Sequence, residues 1–128
     1  MLVPAVALSL FVSVVVAQQM LPQEVHTGDL IQGYVPVGAF VITRGHLAYV
    51  EQRAVINPGM PSAMVPAIVD LTRLPPATRE KVEAECAAIK ITTGGCWVKL
   101  QGWVQQIDDR FGLIATDIEF LPSREGQR

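Results

Sequence analysis

A chain of 128 residues with 10 Lys and Arg against 12 Asp and Glu carries a formal net charge of −2. That length allows one domain, and the charge balance excludes a polycationic nucleic-acid binder, which draws its affinity from clustered Lys and Arg. Two Cys and two His would make a four-ligand zinc site only if all of them converged, and no C-x-x-C pair offers a zinc or redox motif, so neither is expected.

Residues 1–17, MLVPAVALSLFVSVVVA, form an apolar run shorter than the roughly 20 residues a membrane-spanning helix needs. The run ends Val15-Val16-Ala17, with small residues at the −3 and −1 positions that signal peptidase reads. A signal peptide over 1–17 and a periplasmic or secreted protein are expected, although no Lys or Arg precedes the run. The alternative is a membrane anchor that stays uncleaved. Beyond this segment the apolar share falls to about 45%, ordinary for a globular domain.

Residues 18–35 show no period and read as a partly flexible lead-in. Residues 36–56, PVGAFVITRGHLAYVEQRAVI, are strand-like but too long for one typical strand, so Gly45 marks a bulge, a bend or a turn. Asn57 to Ser62 is a loop by composition. Residues 63–71 read as another strand, with Pro66 placing it at an edge or a bulge because proline donates no ladder hydrogen bond. Pro75 and Pro76 then suit the first turn of a helix over 75–89. Val82, Cys86 and Ile89 fall on one face of it, with Arg79, Glu80, Glu83 and Lys90 mostly facing elsewhere. The turn Thr92 to Gly95 leads into 96–107, CWVKLQGWVQQI, which alternates strictly: Val98, Leu100, Gly102 and Val104 on one face, Trp97, Lys99, Gln101, Trp103 and Gln105 on the other. Asp108-Asp109-Arg110 makes a hairpin loop, 111–121 returns as the last strand, and 123–128 is a flexible tail. The spacing Val41-x3-Gly45-x-Leu47 is echoed by Val98-x3-Gly102-x-Val104, as if one barrel needed two glycine-kinked strands.

Breaking the first stretch at Gly45 gives three strands, a helix and two strands. The stretches GAFVITRGHLAYVEQ and CWVKLQGWVQQIDDRFGLIATDIEFL resemble the OB-fold superfamily, specifically its small exported bacterial members. The second stretch is similar to the closing hairpin of anticodon-binding-type OB domains, a V-x-x-x-G-x-V strand followed by a loop and an A-x-x-I-E strand. The resemblance implies a mainly β, five-stranded OB-like barrel over 36–122, with one helix between its third and fourth strands. It also implies ligand binding across the second and third strands. The alternative is an α+β domain with the helix packed on an open antiparallel sheet.

Cys86 and Cys96 are the only cysteines, and an oxidising compartment would join them. Closing that loop stabilises a small domain by roughly 3 kcal/mol on the chain-entropy model. The Trp97, Lys99, Gln101, Trp103 face is the first ligand-binding candidate, because indoles stack on bases or sugars while amide and ammonium groups hydrogen-bond beside them. Its bland alternative is that both indoles pack on neighbouring structure. Arg44 and His46, with Arg53, form the second candidate, an anion contact whose bland alternative is a solvated edge. Asp117 and Glu119 share a strand face, but no catalytic spacing accompanies them. Ser62 and Ser123 sit in no nucleophile motif. No catalytic residue, metal site or cofactor is expected. These residues point to a non-catalytic binding or interaction module of the cell envelope, whose partner is an envelope protein, an oligosaccharide or a single-stranded nucleic acid. Two competitors remain: a small hydrolase in which Arg44, His46, Asp70 or Glu119 converge, and a structural subunit of an envelope assembly.

Overall fold

The computed structural model describes residues 21–59, 65–87 and 96–122. The expected signal segment, Ile89, the turn Thr92 to Gly95 and the tail lie outside the described residues. In chain order the elements are β1 (Gln23–Glu24), α1 (Thr27–Ile31), β2 (Phe40–Val50), β3 (Arg53–Asn57), β4 (Ala67–Asp70), α2 (Pro76–Glu85), β5 (Cys96–Ile107) and β6 (Arg110–Phe120).

Strands β2, β3, β4, β6 and β5 are hydrogen-bonded in that order, and β5 returns to pair with β2. The ring is therefore closed, which removes both sheet edges and rules out the open α+β alternative. Four of its junctions are antiparallel and β4–β6 is parallel. This is an OB-like barrel, with α2 between its third and fourth strands as expected. The interior is filled by one face of each strand. Val41, Leu47, Ile56, Val98, Leu100, Val104 and Leu113 are all fully buried, which bears out the alternation read along 96–107.

Gly45 bends a strand and does not end one. β2 runs unbroken through it, and the chain turns at Glu51-Gln52, both with positive φ. A two-residue turn of this left-handed kind matches the twist of a hairpin, and the Asp108-Asp109 turn is built the same way. At Gly45, β2 passes from pairing with β1 to pairing with β3. Any Cβ there would overlap the backbone carbonyl of Asn57. Gly102 plays the matching part in β5: a Cβ would overlap the carbonyl of Ile114, beside a register shift that leaves Thr116 unpaired.

Two other expectations change. Strand β4 begins at Ala67, directly after Pro66, so the proline precedes the ladder and does not interrupt it. The aperiodic lead-in contains β1 and a second helix, α1. Its cap is His26, whose Nδ1 accepts from Gly28 N–H at 3.0 Å. α1 is tied to the barrel through two buried threonines. Thr27 Oγ1 donates to Arg44 O at 2.7 Å, Thr43 Oγ1 donates to Val25 O at 3.0 Å, and the two hydroxyls lie 2.6 Å apart. Each hydroxyl has one hydrogen, so two of these three contacts are hydrogen bonds at any instant.

At the other end of β2, Tyr49 N–H donates to Cys86 O at 2.6 Å where α2 ends. Val82 and Cys86 turn into the core, and a disulfide joins Cys86 to Cys96 at the first residue of β5. Among the described residues, no helix is long and apolar enough to cross a membrane.

Candidate functional site

The register between β2 and β5 decides what the outer wall presents. Facing pairs run Phe40 with Trp103, Ile42 with Gln101, Arg44 with Lys99, and His46 with Trp97. On the far side of β5, Lys99 faces Glu119 and Gln101 faces Asp117 on β6. The two groups of candidates found separately in the sequence are thus one surface. Trp97, Lys99, Gln101, Trp103, Arg44 and His46 all belong to it. Arg53 does not; its guanidinium pairs with Asp108 at the tips of two hairpins.

The surface has aromatic ends and a charged middle. Phe40 and Trp103 lie with ring centroids 4.5 Å apart and planes tilted by 33°. His46 and Trp97 meet edge to face at 5.0 Å. Both indoles are partly buried, each against its neighbour ring, and His46 itself is buried. Arg44 forms an ion pair with Glu24 on β1, and Lys99 Nζ lies 3.9 Å from Glu119 Oε2. Lys99, Gln101, Asp117 and Glu119 line a polar depression of about 340 Å³. Its cations are matched by carboxylates, so the face carries little net charge.

This face spans the first, fourth and fifth barrel strands. The ligand face implied by the OB resemblance lies over the second and third, here β3 and β4. A separate groove of about 330 Å³ is found on that side, between the β2–β3 turn, the end of β4 and α2. Tyr49, Asp70, Thr72, Arg79 and Glu83 are among its polar groups, with Ile68, Leu71 and Ile107 among its apolar ones. Asp70 Oδ1 accepts from Thr72 N–H at 2.8 Å and from its hydroxyl at 2.6 Å. The Tyr49 hydroxyl donates to Glu83 Oε1 at 3.4 Å. Partial burial, then the charge and hydrogen bond of Glu83, raises the Tyr49 phenol above its ordinary value. Sequence reasoning did not reach this groove. Its polar members come from β2, the end of β4, the β4–α2 loop and one helix face, and only the folded chain brings them together.

Of the four residues named for a hydrolase, Asp70 lines this groove, while Arg44, His46 and Glu119 belong to the β2–β5–β6 face. No group of three or more His, Cys, Asp or Glu among the described residues is placed to hold a metal ion.

The fold and this face define an OB-like barrel with an aromatic-ended outer wall. A solved structure with a similar chain is the hypothetical protein YgiW from E. coli, 14% identical, with a TM-score of 0.46 over 79% of this chain and 90% of that one. No protein-family model matches the chain, and no curated protein does.

Proposed function

We propose that this protein is a non-catalytic binding module of the cell envelope that holds an extended oligosaccharide along the outer face of β5. The observation that carries the reading is the β2–β5 register, which sets Arg44 beside Lys99 and His46 beside Trp97. Six candidate residues then share one wall, with an indole near each end. Six residues of strand separate the indoles by about 20 Å, a span suited to an oligomer and too long for a single sugar.

Charge favours the sugar over single-stranded nucleic acid. Arg44 and Lys99 are each matched by a carboxylate, and Asp117 stands beside them. A polyanion would lose more to those acids than it gains from cations already paired, whereas hydroxyl groups use both signs. The apolar segment 1–17 and the Cys86–Cys96 disulfide both support export to an oxidising compartment.

Fluorescence titration of the two tryptophans with a hexasaccharide of N-acetylglucosamine or glucose, and with a thymidine oligonucleotide, tests the reading. A saturable shift with a sugar, weakened about tenfold by Trp103→Ala on the scale of an aromatic contact, is expected. A shift with the oligonucleotide alone, or with neither polymer, refutes it. Mass spectrometry of the exported protein checks cleavage after Ala17.

A further inference from the structure

The groove between α2 and the barrel rim contains a donor that the fold leaves unpartnered. Arg79, in the first turn and a half of α2, lines it. Its Nε is sealed from solvent and has no hydrogen-bond partner. A buried donor without an acceptor forfeits the interaction it had with water, an effect larger for a charged group than for a neutral one. The other charged groups around the groove are engaged. Arg53 pairs with Asp108, Asp70 holds the Thr72 turn, and Glu83 accepts from Tyr49. No ion pair among the described residues includes Arg79.

We infer that this groove is a second binding site, distinct from the tryptophan face, for a small monocarboxylate with a short apolar body. The guanidinium fork matches a carboxylate in two parallel hydrogen bonds. A ligand oxygen meets the terminal NH groups first, and a turn of the side chain brings Nε into the same fork. Ile68, Leu71 and Ile107 give the apolar body a surface to cover. Asp70 and Glu83, on the same lining, repel a second negative charge, which selects a monoanion over a phosphate dianion or an acidic polymer. The volume of about 330 Å³ lies at the small end of ligand pockets. The site rests on α2 and β4, both anchored in the core through Val82 and Val69, so only the Arg79 side chain has to move when the ligand arrives.

The test is an NMR titration of the full, disulfide-intact protein, following the side-chain Nε–H of Arg79 and the amides of Thr72 and Ile107. The probes are hexanoate, hexan-1-ol, which has the apolar body without the charge, and inorganic phosphate, which has charge without the body. Hexanoate is expected to move these signals saturably, the other two to leave them in place, and Arg79→Gln to weaken hexanoate binding roughly ten- to hundredfold, the scale of a charge-assisted hydrogen bond. The Arg79 signal of the unaltered protein gives the answer even if the variant is poorly folded. No saturable movement with hexanoate, equal movement with phosphate or the alcohol, or unchanged affinity in a folded Arg79→Gln protein overturns the proposal. Trp103→Ala leaves hexanoate binding intact, so failure of the oligosaccharide reading and failure of this one are told apart.

Discussion

Gly45 lies opposite Val98 in the β2–β5 ladder, and four residues along the same ladder Val41 lies opposite Gly102. The two valines are fully buried. The sequence echo V-x3-G is therefore self-complementary: two antiparallel copies place each valine against the other's glycine. The glycines let neighbouring backbones come close, Asn57 O against Gly45 and Ile114 O against Gly102.

Replacing either glycine by alanine is expected to cost about 1–3 kcal/mol, the range for forcing an added methyl into a packed interior. The obstacle is backbone, Asn57 O in one case and Ile114 O in the other, so the high end is expected. Urea unfolding of Gly45→Ala and Gly102→Ala measures it. A loss under 0.5 kcal/mol, which is about what a neutral surface change gives, would show that the wall yields and that close approach is not why glycine stands there.

What the sequence disclosed about this arrangement was the pattern of faces, and what it withheld was the register. Strict alternation along 96–107 marks the inner and outer side chains of β5 without ambiguity, because period two leaves one assignment consistent with burial. Nothing in one strand's pattern says which residue of β2 stands beside Lys99. Arg44 and His46 thus read as a separate cluster until the ladder joined them to the tryptophans. The turn at Glu51-Gln52 was hidden for another reason. Hairpin turns with two positive φ values favour Asn, Asp and Gly, and Glu-Gln offers none of these, so the punctuation was assigned to Gly45. Asp108-Asp109, with the favoured chemistry and the same geometry, was found. Helix α1 is too short for a period to show, and Arg79 counted only as part of a polar helix face.

The threonine pair that fastens α1 offers a second measurement. Thr27 and Thr43 are 1% and 0% exposed, so a lost partner inside is not replaced by water. Thr27→Val keeps the shape, removes one hydroxyl and leaves Arg44 O without its donor. A loss of about 1–3 kcal/mol is expected. Adding Thr43→Val should cost less than the sum of the single changes, because contacting residues in one hydrogen-bond network are coupled. Strict additivity of the pair in a double-mutant cycle would mean that the 2.6 Å contact contributes nothing to stability.

Removing the Cys86–Cys96 disulfide is expected to lower stability by about 3 kcal/mol through the entropy of the unfolded loop. The two cysteines are 1% and 6% exposed, so a reducing agent reaches them only when the chain opens. Reduction of the folded protein should therefore be slow without denaturant and accelerate with it. A Cys86→Ala, Cys96→Ala double variant compared with the oxidised protein by thermal unfolding gives the magnitude. Equal stabilities would leave the bond without a structural role.

Stability should also fall in alkali through one tyrosine. Tyr49 spans the junction of β2 and α2, its N–H on Cys86 O and its hydroxyl on Glu83. Its phenol is held above its ordinary value, by partial burial first and by the Glu83 carboxylate second. A raised folded value means that the fold favours the neutral phenol. The resulting stability is fully present below the unfolded value of about pH 10 and is lost as pH rises through the folded one. Tyr49→Phe lacks the ionisation, so its melting temperature should decline less between pH 9.5 and 11.5 than that of the unaltered protein. Glu83→Gln removes the charge while leaving the burial, and its profile should fall between the two. Parallel declines in all three proteins would place the alkaline sensitivity elsewhere in the molecule.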